Sequence, residues 1–330
     1  MKSAVDIFVQ LGERLALFGE DAHSSDVIEQ AVAENGWFTR SEIVAAVGAL
    51  RDGMLNESKL RHWLSAYSFA DVEPKRVAVI MAGNIPLVGF FDLLCVVAGG
   101  HRAVVKPSGK DRVLMHRIVE LLREIEPEIA IEECDNDTLK PSDVDAVIAT
   151  GNDNAKRRFK ALYAGKPQLL RGNRHSVAVL SGKESSETLG KLNADIFSYS
   201  GLGCRNVSLI FIPRGYELRL SGGAANPKYV NNYLQNRALL KMSGEEFSDT
   251  GGCLLVKSDE FPSAISRVAV REYDTLAEVS EWLAVHDEEL QCVVSECVSH
   301  SRIVPFGQAQ HPQLTDYPDD VDVMAFLSSI

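Results

Sequence analysis

Residues 76–106 restrict the fold of this chain more than any other stretch. Arg76-Val-Ala-Val-Ile-Met81 is a short run rich in β-branched residues, and Ala82-Gly-Asn-Ile-Pro86 breaks it. Leu87–Val97 is apolar on all sides, Gly99-Gly100 stops it, and Ala103-Val-Val105 is apolar again before Lys106-Pro-Ser-Gly109. A short apolar run between turn residues reads as a strand, and a helix that is apolar all round must be buried. Strand, buried helix, strand is a βαβ unit, which makes the two strands parallel with a right-handed crossover. Residues 77–100 are long and apolar enough to suggest a membrane span. Asn84, Pro86 and Asp92 lie inside them, however, so the stretch reads as strand, turn and buried helix and no membrane span is expected.

The alternation continues. Asp111–Ile125 is an amphipathic helix with Val113, Leu114, Ile118, Leu121 and Leu122 inward. Ile129-Ala-Ile131 and Ala146–Ala149 are strand candidates; Thr150-Gly151 ends the second, and a polar helix is expected over Asn154–Ala164. Further strands are predicted at Val177–Leu180, Val207–Ile212, Cys253–Val256, Arg267–Val270 and Leu290–Val294, with helices at Ser186–Ser198, Tyr229–Met242 and Leu276–Val285. Strands alternating with helices predict an α/β fold with parallel sheets, in which ligands bind beyond the carboxyl ends of the strands. The loops to watch are therefore 82–86, 106–109 and 150–153. Residues 1–70 are helical in pattern: Val5, Phe8, Val9, Leu11, Leu15 and Phe18 recur near helical spacing, Ser24-Ser25-Asp26 offers a helix start, Thr39 or Ser41 a second, and residues 56–69 a third helix.

Charge and cysteine usage exclude some functions. A formal net charge of −12 argues against a nucleic-acid-binding surface. The six cysteines, at 95, 134, 204, 253, 292 and 297, show no zinc-knuckle or C-x-x-C spacing, so no metal is expected and the thiols read as reduced. Together with an amino terminus that lacks the apolar core of a signal peptide, this predicts a cytoplasmic protein.

The stretch that carries chemistry is Phe197-Ser-Tyr-Ser-Gly-Leu-Gly-Cys-Arg-Asn206. It sets Cys204 in a Gly-rich turn ahead of a buried strand. Gly201 and Gly203 clear side chains from the approach to the sulfur, and Arg205 is placed to favour the thiolate, the nucleophilic form. A cysteine before a buried strand is also ordinary core filler. In the loops, Asn84 is a neutral donor suited to a developing oxyanion, or a turn asparagine. Lys106 and Ser108 suit a ribose hydroxyl or phosphate, or are surface residues before a helix. Gly151 and Asn152 open a helix whose N–H groups suit a phosphate, or are a simple cap. There is no G-x-G-x-x-G.

In that order, Asn-x-Pro, Lys-Pro-Ser, Thr-Gly and Gly-x-x-Cys resemble the aldehyde dehydrogenase superfamily, and most of all the LuxC-type acyl-CoA reductases. Pro213-Arg-Gly-Tyr216 after the cysteine strand, and Val304-Pro-Phe-Gly-Gln-Ala-Gln310 with Asp316-Tyr317 and Val321-Asp322, are similar to that family's segments. The likeness covers about residues 70–330. It implies an aldehyde-dehydrogenase-like fold: a helical region over 1–70, a Rossmann-like NAD(P)-binding domain over 71–176, a catalytic domain over 177–304 carrying Cys204, and a segment over 305–330 that returns over the site.

By the same likeness Cys204 is the nucleophile and Asn84 the oxyanion donor. Lys106 and Ser108 meet the adenosine ribose, Gly151 and Asn152 the pyrophosphate, and Phe306 lies in the closing segment, with His175 a possible proton carrier or packing residue. The implied activity is reduction of a long-chain acyl-CoA or acyl-protein thioester to the fatty aldehyde by NADPH or NADH through an S-acyl-cysteine, in a homodimer or larger homo-oligomer. A CoA-acylating aldehyde dehydrogenase, an acyl-phosphate reductase and a non-catalytic nucleotide-binding protein are the alternatives. The Glu-Leu-Gly-Gly-Lys of hydrolytic relatives is replaced by Leu169-Leu-Arg-Gly-Asn-Arg-His-Ser176, without a carboxylate to activate water, and Glu-x-Phe-Gly-Pro is missing, with only Glu260-Phe261-Pro262 near its place.

Overall fold

The computed structural model describes residues 2–69, 72–134 and 139–330; the expected boundary at residues 70 and 71 lies outside them. The chain divides into two compact units. One holds the residues up to Asn173 with Gln313–Tyr317 and Val321–Ile330, the other Arg174–Pro312 with Pro318–Asp320.

The first unit opens with four helices, α1 (Ala4–Arg14), α2 (Ala22–Glu34), α3 (Arg40–Met54) and α4 (Glu57–Leu64). Each begins where a polar side chain takes an orphan N–H of the first turn: Ser3, Asp21, Thr39 and Asn56. The second helix starts earlier than Ser24-Ser25-Asp26 suggests, because Ser24 is itself the residue capped by Asp21 and donates its hydroxyl back to that carboxylate. Then follow β1 (Arg76–Ile80), α5 (Phe90–Ala98), β2 (Arg102–Lys106), α6 (Arg112–Ile125), β3 (Ile131–Glu133), β4 (Ala146–Thr150), α7 (Asp153–Leu162) and β5 (Gln168–Arg171).

All five strands run parallel in the order β3-β2-β1-β4-β5. The near-continuous apolar runs are explained by cover on both faces. Val77 and Val79 face a core shared with α1, α5 and α6, whereas Ala78 and Ile80 face Val104, Val147 and Tyr163. The C-terminal helix Val323–Ser328 adds Val323, Met324 and Leu327 to the first of these cores. Tyr317 ties the returning segment down: its hydroxyl accepts from Trp63 Nε1 at 2.7 Å and bonds Tyr67, which donates to Asp322 at 2.8 Å.

The second unit contains β6 (His175–Val179), α8 (Ser186–Phe197), β7 (Val207–Pro213), α9 (Pro227–Ser243), β8 (Ser248–Asp249), β9 (Leu254–Lys257), β10 (Arg267–Tyr273), α10 (Leu276–Val285), β11 (Leu290–Ser295) and β12 (Ile303–Val304). Its seven strands lie in the order β12-β11-β6-β7-β10-β9-β8, parallel except for the β8–β9 pair. The two-residue strands β8 and β12 are too short for any periodicity to announce them. One face of the sheet packs Val177, Val179, Leu209 and Phe211 against Trp282 and Leu283 of α10. Among the described residues no helix is long and apolar enough to cross a membrane.

Candidate active site

In the first unit the sheet order changes direction at β1, so the loops after β1 and β4 diverge from a crevice at the carboxyl edge. Asn84 stands exposed on the loop after β1. That loop is fixed by its neighbours. The N–H of Leu87, a residue in the left-handed region (φ 57), donates to Asp111 Oδ2 at 2.8 Å, and the N–H of Met81 to the carbonyl of Lys106 at 3.0 Å. A side chain at Gly83 would sit 2.5 Å from Ser108 Oγ, so glycine is required for the β1 and β2 loops to touch. Burial pushes the Asp111 carboxyl well above its ordinary value.

Lys106 ends β2 and is half-buried. Desolvation pulls its ammonium below the ordinary range, Cys134 opposes this, and Arg158 of α7 adds to it. Asn152 is the N-cap of α7, its side chain accepting from the N–H of Ala155 at 2.9 Å. Next to it, Asp153 takes the N–H and side-chain amide of Asn173 at 3.0 and 3.1 Å. That carboxylate already occupies part of the positive field at the start of α7. Asn84, Lys106, Ser108, Gly151 and Asn152 thus share one edge of one sheet. Asp92, the odd residue inside the apolar helix, proves to be the partner of Arg171 at 2.6 Å, both buried; Arg171 also donates to Thr150 at 3.3 Å.

In the second unit Cys204 lies at the amino ends of β6 and β7, three residues before Val207. All six cysteines are free, and Cys204 is the exposed one. The turn ahead of it is strained: Tyr199, Ser200 and Gly201 all have φ between 53 and 69, a conformation that costs roughly 1–2 kcal/mol for each of the two non-glycine residues. Asn206, buried, holds that turn. Its amide donates to the carbonyls of Ser198 (2.9 Å), Asp195 (3.1 Å) and Ile196 (3.2 Å), and its oxygen accepts from the N–H of Gly203 at 2.8 Å. Ser176 of β6 fixes the cysteine itself, donating to the carbonyl of Cys204 at 2.9 Å with its oxygen 3.1 Å from Cys292 Sγ.

The expectation that Arg205 favours the thiolate holds in sign and is outweighed. The protein crowded around the sulfur pushes the thiol up to about 11; Arg205 opposes this, while Asp319 and Cys292 add to it. Exposure and desolvation differ here because access along one side suffices to expose a side chain, whereas hydrating a thiolate needs water all round. Arg205 also has a structural bond, Nε donating to the carbonyl of Ala309 at 2.7 Å. Asp319, in the left-handed region (φ 60), is held by Arg174 at 3.4 Å and by the side chain of Gln291, which accepts its N–H at 3.2 Å.

His175 opens β6. Its ring stacks on Phe261, centroids 4.1 Å apart, on the face of β6 opposite to Ser176, as the two-residue alternation of a strand requires. Phe306 is buried in the turn after β12. The sequence reading missed Ser176, Asn206, Asp195 and Asp319. For Asp195 there was a signal: an acid in the last turn of α8 opposes the helix dipole and so calls for another partner. Burial pushes its carboxyl up to about 6 even though it accepts from the N–H groups of Gly307 at 2.7 Å and Ala309 at 3.0 Å.

Solved structures similar to this one include an oxidoreductase from Marinobacter aquaeolei (TM-score 0.65, 13% identity, 94% of this chain and 78% of that one). Others are the Mycobacterium tuberculosis aldehyde dehydrogenase complexed with NAD+ (TM-score 0.63, 14% identity, 90% and 73%) and the Staphylococcus aureus betaine aldehyde dehydrogenase, also with NAD+ (TM-score 0.62, 12% identity, 89% and 70%). Such likeness shows the fold, an α/β fold with a five-stranded parallel sheet and a mixed sheet, as aldehyde dehydrogenases have. No curated protein matches the chain in sequence. Residues 21–221, more than half of the 330, match the family described as acyl-CoA reductase (LuxC), and this stretch includes Asn84 and Cys204; the chain belongs to the LuxC acyl-CoA reductase family and is an oxidoreductase.

Proposed function

We propose that this protein reduces a long-chain acyl-CoA or acyl-protein thioester to the fatty aldehyde through an S-acyl intermediate on Cys204. The observation that carries the reading is the position of Cys204, the exposed cysteine, on a turn whose strain is held by Asn206 and whose backbone is fixed by Ser176. Loss of the Cys204 proton starts the reaction, and the thiolate attacks the thioester carbonyl. The N–H of Cys204 serves the oxyanion, and Asn84 is the side-chain donor that the family likeness assigns to it. Collapse expels the CoA or protein thiolate, which takes up a proton, and leaves the acyl group on Cys204.

The residues fit a nicotinamide dinucleotide best at its ribose end. Gly83 leaves Ser108 room at the crevice, and Lys106 ends the strand to which the family likeness assigns the adenosine ribose. Gly151 and Asn152 serve the pyrophosphate less freely, because Asp153 stands beside them. Arg158, felt by Lys106, brings a second positive charge near it, and the cofactor is NADPH or NADH. When bound, the reduced cofactor supplies the hydride that takes the acyl group to the aldehyde level. Residues 169–176 contribute no carboxylate to direct water at the thioester, and Asp319 is tied to Arg174. A cytoplasmic homodimer or larger homo-oligomer completes the proposal.

Intact-mass spectrometry of the protein mixed with a long-chain acyl-CoA, beside Cys204→Ala, tests the reading. The expected result is a gain of one acyl group that needs Cys204 and is discharged as aldehyde by NADPH. No adduct across several chain lengths, or an adduct retained in Cys204→Ala, refutes it.

A further inference from the structure

The turn Pro305–Ala309 is fastened from two sides to the elements that carry Cys204. Asp195 of α8 accepts the N–H groups of Gly307 and Ala309, one on each carboxylate oxygen, at 2.7 and 3.0 Å. Alternate backbone N–H groups converging on one anion form a nest, here closed by the protein's own carboxylate. On the other side Arg205, next to the nucleophile, donates from Nε to the carbonyl of Ala309 at 2.7 Å. One turn of helix before Asp195, Lys191 packs under Gly307, where a side chain would lie 3.1 Å from its Cβ and where φ is 80. The turn is therefore seated on one face of α8 and leashed to the residue after Cys204. Asp195 and Ala309 are buried to 1% and 0% exposure, and Phe306 is buried between the anchored positions and β12.

A buried carboxylate facing two N–H groups is an expensive fastening where a neutral loop contact would hold a surface turn, and it lies against the helix dipole. Arg205 also favours the thiolate, but its bond to Ala309 adds nothing to that role. What the fastening secures is the placing of one loop against Arg205, the residue that follows the nucleophile. A thioester waiting for hydride is lost as free acid if water reaches its carbonyl. We infer that Asp195 and Arg205 are positioning residues that hold Pro305–Ala309 as a water barrier beside the S-acyl group of Cys204, so that the acyl-enzyme is reduced instead of hydrolysed. The hydrolysis prevented is addition of water to the thioester carbonyl, cleavage of the C–S bond and release of the carboxylic acid with return of the proton to the thiol. This inference rests on the S-acyl intermediate proposed above.

The test is the fate of acyl-enzyme already formed. Wild type, Asp195→Asn and Arg205→Gln are acylated with a long-chain acyl-CoA and freed of excess donor. Loss of the acyl mass and release of free acid are then followed per mole of acylated protein without nicotinamide. The acid-to-aldehyde ratio is measured when NADPH is added. Asp195→Asn places an N–H donor against two N–H donors with little change of volume. It is expected to speed acid release at least tenfold and to raise the acid-to-aldehyde ratio by a similar factor. Arg205→Gln should act in the same direction, and hydrogen exchange at the Gly307 and Ala309 amides should quicken in Asp195→Asn.

Faster exchange with an unchanged acid rate would make the fastening merely structural and overturn the inference. So would unchanged exchange and unchanged acid release in both variants. If one variant does not fold, the other decides. Absence of an acyl adduct in the wild type would overturn the proposed function and this inference with it, whereas a normal adduct with unchanged partition overturns the inference alone.

Discussion

Asn206→Ala should damage this protein twice. The Asn206 side chain is the hub of the turn before Cys204: its amide spans three carbonyls, those of Asp195, Ile196 and Ser198, at 2.9–3.2 Å, and its oxygen takes the Gly203 N–H. An amide has two protons, so three bonds rather than four count independently. At about 1 kcal/mol for each net hydrogen bond the loss is about 3 kcal/mol. For a protein of this size that lowers Tm by roughly 4 °C. The second effect is local: with the hub gone, Tyr199 and Ser200 are free to leave the left-handed region, and the cysteine loses its presentation. Acylation by acyl-CoA should fall by at least about tenfold, even at temperatures where the variant is fully folded.

Asn206→Asp is the decisive partner, since it keeps the volume but turns a lone-pair-bearing oxygen on three carbonyls. It should be at least as damaging as the alanine, whereas a volume-only role predicts recovery. Thermal melts followed by circular dichroism, and stopped-time mass spectrometry of the adduct, read both effects. An alanine variant that melts within about 1 °C of wild type and acylates normally refutes the hub argument.

Other expectations follow from particular contacts. The thiol of Cys204 is pushed up to about 11, so the reactive thiolate increases tenfold per pH unit below that value; alkylation of the resting enzyme by iodoacetamide should climb through pH 7–9, and a plateau already at neutral pH would refute it. Arg171→Met leaves Asp92 buried without its ion-pair partner and should cost about 3–5 kcal/mol, with much of this restored by adding Asp92→Leu; denaturant midpoints that do not recover in the double variant would refute this account of the pair. Asn84→Ala should lower the acylation rate by roughly two to three orders of magnitude if the amide serves the oxyanion, and a change under about threefold, read in the same mass assay, assigns it to the turn. Asp195 titrates near 6 in the fold against an ordinary 3.8, so the folded state binds the extra proton, and stability from this group falls as pH rises through that window. Denaturant midpoints of wild type should show that slope between about pH 4 and 6, and those of Asp195→Asn should lack it.

Much of the frame was legible in the residues. The runs at 76–80, 102–106 and 146–150 are apolar on both faces because both faces are covered, and such runs write strands directly into the sequence. The helix Leu276–Val285 was predicted to the residue, and the structure adds the Thr275 cap that starts it. Less legible were β5, β8 and β12, four or two residues long, and the C-terminal helix of six residues, whose burial comes from distant partners and not from a repeating pattern.

The sequence by itself determined the family, the parallel α/β plan and which cysteine to watch, because these depend on residue types in order along the chain. Only the tertiary structure decided how Cys204 is held and how its proton is bound. Asn206 and Asp195 look like ordinary polar residues until the fold directs the first at three carbonyls and the second at two N–H groups more than 110 positions away, Gly307 and Ala309. Arg205 reads as an activator of its neighbour, yet desolvation, a property of everything packed around the sulfur, outweighs one adjacent charge. Directional bonds and burial are set by atoms distant in sequence, and no local pattern encodes them.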